Sequence, residues 1–141
     1  MNYSRLTLIL NTKKQLNAIN LILSVAMFDF QKLEVYQKSK AFNKGIYFFI
    51  QKNKLTGTVR DQLHRAAFSI QLNIAEGTSR FSKKDRKNFF IISRGSVFEC
   101  VAVFEYLLEI EVIDKLMFEQ HYNKLEELSK MLFALIKKLD E

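Results

Sequence analysis

Apolar residues along this chain recur with the period of a helix. Val35, Ser39, Phe42, Ile46 and Phe49 alternate in steps of four and three, which marks one face of an α-helix over 33–51. Lys52, Asn53 and Lys54, followed by Gly57, break that pattern. A second stripe then runs through Val59, Leu63, Ala66, Ala67, Ile70 and Ile74, and Gly77 stands where a C′ glycine would end the helix. Beyond the loop 78–81, Ser82 and Asp85 make an N-cap pair for a third helix reaching about residue 110. Asp114 caps a fourth. Its seam, Phe118, His121, Leu125, Leu128, Leu132, Leu135 and Leu139, steps by threes and fours throughout.

Four helices of about 19–28 residues would each be about 30–40 Å long. Short connections make sequence neighbours antiparallel, so the pattern predicts an all-α, antiparallel up-down-up-down four-helix bundle. The third helix has a core face of Phe90, Val97, Cys100, Val101, Phe104, Leu107 and Leu108. It also has a second apolar stripe, Ile91, Phe98, Ala102 and Tyr106, and the second helix has one at Phe68, Leu72 and Ala75. In a lone bundle these stripes face water, and apolar patches of that kind mark contact surfaces. The expected outcome is a homo-oligomer, unless the N-terminal segment covers one of them.

Residues 1–26 read differently from the rest. They carry Arg5, Lys13 and Lys14 and no acid, with apolar clumps at 6–10 and 21–26. Lys13, Lys14 and Gln15 interrupt any signal-peptide core, and no run approaches the ~18 apolar residues of a membrane span. Two readings stand: an upstream extension ahead of a start at Met27, or an extra helix packed on the domain. The expected division is therefore 1–26 as an extension and 27–141 as the bundle.

Composition narrows the function classes. The chain has no proline and four glycines, too few turn signals for a sandwich or barrel. Its single cysteine, Cys100, excludes a disulfide framework and paired-cysteine metal or redox sites. His64 and His121 stand in no ligand-like spacing, and no phosphate-loop, nucleophile-elbow or di-iron motif occurs. We expect a cytoplasmic protein that is not an enzyme, with no catalytic residues, metal or cofactor. Charge adds a direction: 22 Lys+Arg against 15 Asp+Glu give +7, with the surplus in the first 81 residues. Such a balance fits either a polyanionic partner or a solvated lysine-rich surface. The densest cluster is RFSKKDRK (80–87), with Arg80, Lys83, Lys84, Arg86 and Lys87 at the start of the third helix, where helix N-termini favour phosphate. Arg60 and Arg65 are secondary candidates for nucleic-acid contact. A polar set stands beside the seams: Asn73, Glu76, Arg94, Ser96 and Glu99. Asn73 and Glu99, near the edges of their apolar faces, are expected to be partly buried, with hydrogen bonds between helices or subunits as their role.

LEVYQKSKAF (33–42), QLHRAAFSIQLNIAEG (62–77) and FFIISRGSVFE (89–99) resemble the 23S rRNA intervening-sequence protein family. These are bacterial, ribosomal-protein-like four-helix bundles, and the resemblance covers about residues 28–139. NIAEG, with Asn73, Glu76 and Gly77, is followed by Arg80; the R-G-S-x-x-E element supplies Arg94, Gly95, Ser96 and Glu99. The resemblance implies a homopentamer whose genes lie in insertions within 23S rRNA genes. It also implies kinship in fold with the accessory variability determinant of diversity-generating retroelements, which binds nucleic acid and a reverse transcriptase. No catalytic residues come with it. His64 stands where the family usually has an arginine, and Gln71 where proline is common. Two functions follow: a nucleic-acid-binding accessory acting on structured RNA, or an oligomeric scaffold for a protein partner.

Overall fold

The computed structural model describes residues 3–25 and 28–141, with side chains detailed at 9, 11–21 and from 28 onward. Met27, the candidate start, lies outside the described residues. Among the described residues five α-helices occur: α1 (Tyr3–Val25), α2 (Glu34–Lys52), α3 (Gly57–Ser79), α4 (Lys83–Glu109) and α5 (Lys115–Lys138), with a 3₁₀ turn at Asp29–Lys32. The all-α expectation holds, and no strand occurs among the described residues. The count is five rather than four because residues of the 1–26 segment form α1. Every described side chain of α1, from Ile9 through 11–21, is exposed.

Helices α2 to α5 pack around one core. Opposed pairs give their directions: Ser93 of α4 meets Ile70 of α3, whereas Phe90 meets Gly77. Likewise Lys38 of α2 meets Glu127 of α5, whereas Phe49 meets His121. Partners that advance along one helix retreat along the other, so these pairs are antiparallel. The core contains Val35, Ile46, Leu63, Ile70, Ile74, Val97, Phe104, Leu107, Leu125 and Leu132, each 2% exposed or less. Burying such a side chain contributes about 1.5–3 kcal/mol. Both predicted caps form: Ser82 Oγ accepts from the Asp85 N–H at 3.0 Å and an Asp114 oxygen from the Met117 N–H at 2.8 Å.

Gly77 does not terminate α3. It lies buried inside the last turns, and a Cβ there would stand 2.7 Å from Phe90 Cε1 and 3.2 Å from Phe89 Cβ. The glycine permits close approach between α3 and α4. Arg80, with extended φ and ψ, ends the helix instead.

Candidate nucleic-acid interface

The three-residue connection 80–82 brings the NIAEG end of α3 against the first turns of α4. An Arg80 Nη donates to the Glu76 carboxylate, and its guanidinium carbon lies 4.6 Å from the Phe89 ring centre. Arg86 Nη2 donates to the Arg80 carbonyl at 3.0 Å. The Nε atoms of Arg80 and Arg86 are both buried, so these guanidinium groups are partly turned into the protein. Lys87 pairs with Asp140 at 2.5 Å. Only Lys83 and Lys84 of the five clustered cations are exposed and unpaired among the described residues. The cluster predicted from sequence is thus divided: two cations face outward and three are committed to intramolecular contacts.

Arg60 and Arg65 do not join it. Both are exposed, Arg60 pairing with neighbouring Asp61 at 2.8 Å, and about 22 Å of helix axis separates Arg65 from Arg80. The fold adds a cation that sequence spacing could not show. Lys83, Arg86 and Lys138, with the acidic Asp29, border a cleft of about 370 Å³ floored by Leu33, Phe90, Leu135 and Leu139. Phe81, in the loop 78–81, is a second feature that the sequence reading does not include. Its side chain is fully exposed (105%) at the tip of the turn, between Arg80 and the two free lysines. The signal was present: a lone phenylalanine in an otherwise polar connection.

The signature residues sort by burial. Ser96 is buried and completes a directed relay: Asn73 Nδ2 donates to Ser69 Oγ, Ser69 to Ser96 Oγ, and Ser96 to the Ile92 carbonyl. Each hydroxyl has one proton, so this order satisfies every link. Arg94 donates to Ser129 Oγ at 3.2 Å and lies over the Phe98 and Phe133 rings at 4.9 and 5.5 Å. Glu99 is exposed, contrary to the expectation of partial burial; Glu76 is exposed too, and Gly95 faces open space. Gln71 links α3 to α2, donating to Tyr36 Oη and accepting from Asn43.

The two apolar stripes remain uncovered in the single chain. Phe68, Leu72, Ile91, Phe98 and Tyr106 are 44–56% exposed, and Ala102 is exposed too. Phe98 and Ala102 line a cleft of about 340 Å³ between α4 and α5, beside Tyr122 and Glu126. His64 stacks on Phe68 with centroids 6.2 Å apart.

Buried titratable groups read as structural. Burial pushes the Cys100 thiol up to about 12, with the neighbouring Glu99 charge adding to it, so the nucleophilic thiolate is scarce at neutral pH. His121 sits between Phe49 and Phe104, at 5.1 and 4.4 Å, and bonds the Met117 carbonyl. Its desolvation lowers its pKa from the ordinary 6.5, as does Lys124, outweighing the Met117 bond. Among the described residues no His, Cys, Asp and Glu group could hold a metal, and no helix is long and apolar enough to cross a membrane.

A helical bundle with a basic turn, a polar α3–α4 seam and uncovered apolar stripes defines a class of small helical-bundle proteins. The family model for the 23S rRNA-intervening sequence protein matches residues 31–134. The chain belongs to that family, and α1 lies outside the matched part. It is similar to a crystal structure of a protein of unknown function from the S23 ribosomal protein family of Bacteroides thetaiotaomicron. The two are 28% identical with a TM-score of 0.68, over 73% of this chain and 98% of that one. No curated protein matches the chain.

Proposed function

We propose that this protein is a non-enzymatic basic oligomer, a pentamer of antiparallel four-helix bundles, that binds structured RNA at the α3–α4 turn. The observation that carries the reading is the pair Lys83 and Lys84, exposed and without a carboxylate partner at the N-terminus of a 27-residue helix. Phosphate is favoured there by the lysine charges and by the helix dipole. The family's link to 23S rRNA supports RNA as the polyanion. Such contacts position a backbone without reading its sequence. In a ring the turn recurs once per subunit, so weak single contacts add through effective concentration. Association through Phe68, Leu72, Ile91, Phe98, Ala102 and Tyr106 would cover the apolar stripes.

The test is filter binding of an RNA hairpin at two salt concentrations. Wild type should bind with strong salt dependence, and the Lys83→Gln/Lys84→Gln variant should bind about tenfold or more weakly at the lower salt. Equal affinities, or no salt dependence, would move the assignment to the second reading. That reading is a scaffold for a protein partner, of which a reverse transcriptase is one class. It is favoured by the uncovered stripes and by the commitment of Arg80, Arg86 and Lys87 to internal contacts.

A further inference from the structure

We infer that Phe81 is a stacking platform for an unpaired RNA base, so that the turn selects loops, bulges or single strands over continuous duplex. The inference rests on the RNA reading above and makes it more specific. Among the described residues Phe81 is the most exposed large apolar side chain, at 105%, whereas the exposed apolar residues of the helices range from 39% to 66%. Of those, Phe68, Leu72, Ile91, Phe98 and Tyr106 lie on extended stripes that a flat contact can cover. Phe81 stands apart from them at the tip of a three-residue turn, with polar Ser79 and Ser82 close by.

Its neighbours indicate what would lie on the ring. Lys83 and Lys84 follow within three residues, exposed and unpaired, and Lys138 borders the cleft beside Lys83. An aromatic face flanked by exposed cations matches the two ends of a nucleotide, with the base on the ring and the phosphates on the ammonium groups. Along the turn the ring stands between Arg80 and Ser82, followed by Lys83 and Lys84: three cations and a hydroxyl, with no apolar residue among them. A base paired inside a duplex has both faces occupied by its neighbours in the stack, so along a duplex the ring finds no free face and engages instead a base that is already unstacked. Stacking also tolerates any base, which agrees with phosphate contacts that read no sequence.

The sequence supplies a clean reporter, because the chain has no tryptophan. Phe81→Trp places a single indole at the tip of the turn, and the side chain's full exposure leaves folding undisturbed. Titrating that variant of the full chain with an unstructured oligouridylate should quench the indole and shift its emission. A blunt duplex of equal length should bind with little quenching. Phe81→Ala should weaken oligouridylate binding about tenfold, the effect of losing one base–aromatic stack, and leave duplex binding unchanged. Phe81→Trp should retain wild-type affinity. Quenching absent at saturating oligouridylate, or equal affinity of Phe81→Ala and wild type for it, overturns the inference. The RNA reading fails separately, through the Lys83→Gln/Lys84→Gln variant and the hairpin.

Discussion

Helices α1 and α3 are both 23 residues long, and α1 is the richer of the two in apolar residues. Yet α3 buries Leu63, Ala66, Ala67, Ile70, Ile74 and Gly77, while the described side chains of α1 are exposed. The difference is arrangement. In α3 the apolar residues repeat by threes and fours, so one face meets α2 and α4 while the other keeps Arg65 and Glu76 in water. In α1 they are clumped toward both ends and spread around the axis, with Lys13 and Lys14 between them. A helix joins a bundle through one continuous face, and the amount of hydrocarbon it carries does not substitute for that.

The largest effects are expected in the core, on the buried face of α3. Ile70→Ala should cost about 2–5 kcal/mol, because Ile70 is fully buried and the surrounding helices cannot collapse into the space. Urea denaturation measures it. A loss under about 1 kcal/mol would mean that the buried face of α3 does not organise the bundle. A smaller cost, about 1–3 kcal/mol, is expected for Gly77→Ala, since the new methyl meets Phe90 at 2.7 Å. Phe90 is 3% exposed and Phe89 Cβ is fixed to the backbone, so neither contact yields easily.

His121 sharpens the account of the core through pH. Its folded pKa is depressed, so the unfolded chain binds the proton more readily. The stabilising difference is fully present above the unfolded value of 6.5 and is lost as pH falls through it toward the folded value. Wild type should therefore lose stability over that window, and His121→Phe should lose less. Equal slopes for the two proteins would remove His121 as the cause. The smallest effects belong to α1. Ile19→Ala should change stability by under about 0.5 kcal/mol, as for an exposed site. Deleting residues 1–26 should lower Tm by under about 5 °C. A drop of about 10 °C or more would show that α1 contributes packing after all, and the contrast with α3 would fall.

Local signals carried most of the fold. The caps at Ser82 and Asp114 and the α5 seam were legible because each depends on residues within a few positions of one another. Gly77 was misread for a related reason. A glycine before a polar loop looks like a helix terminator, and only Phe90, thirteen positions on and packed from the next helix, shows otherwise. The basic turn was legible as a density of charge but not as a division of labour. Lys87 is neutralised by Asp140, 53 residues away, and Lys138 arrives beside Lys83 from the last helix. Such pairings are made by packing, and spacing along the chain does not encode them visibly. Phe81 needed no long-range information, only the recognition that a turn this short has no room to bury it.

The contact between Gly77 and Phe90 has a consequence for how relatives of this protein can vary. The ring occupies the volume that any side chain at position 77 would need, so neither position is free to drift by itself. A relative with alanine or serine in place of this glycine should carry a smaller or differently shaped residue opposite it, or a longer connection between the two helices. The pair should therefore appear as correlated substitutions across an alignment, while Gly95, whose Cβ position opens onto empty space, should vary independently of its surroundings.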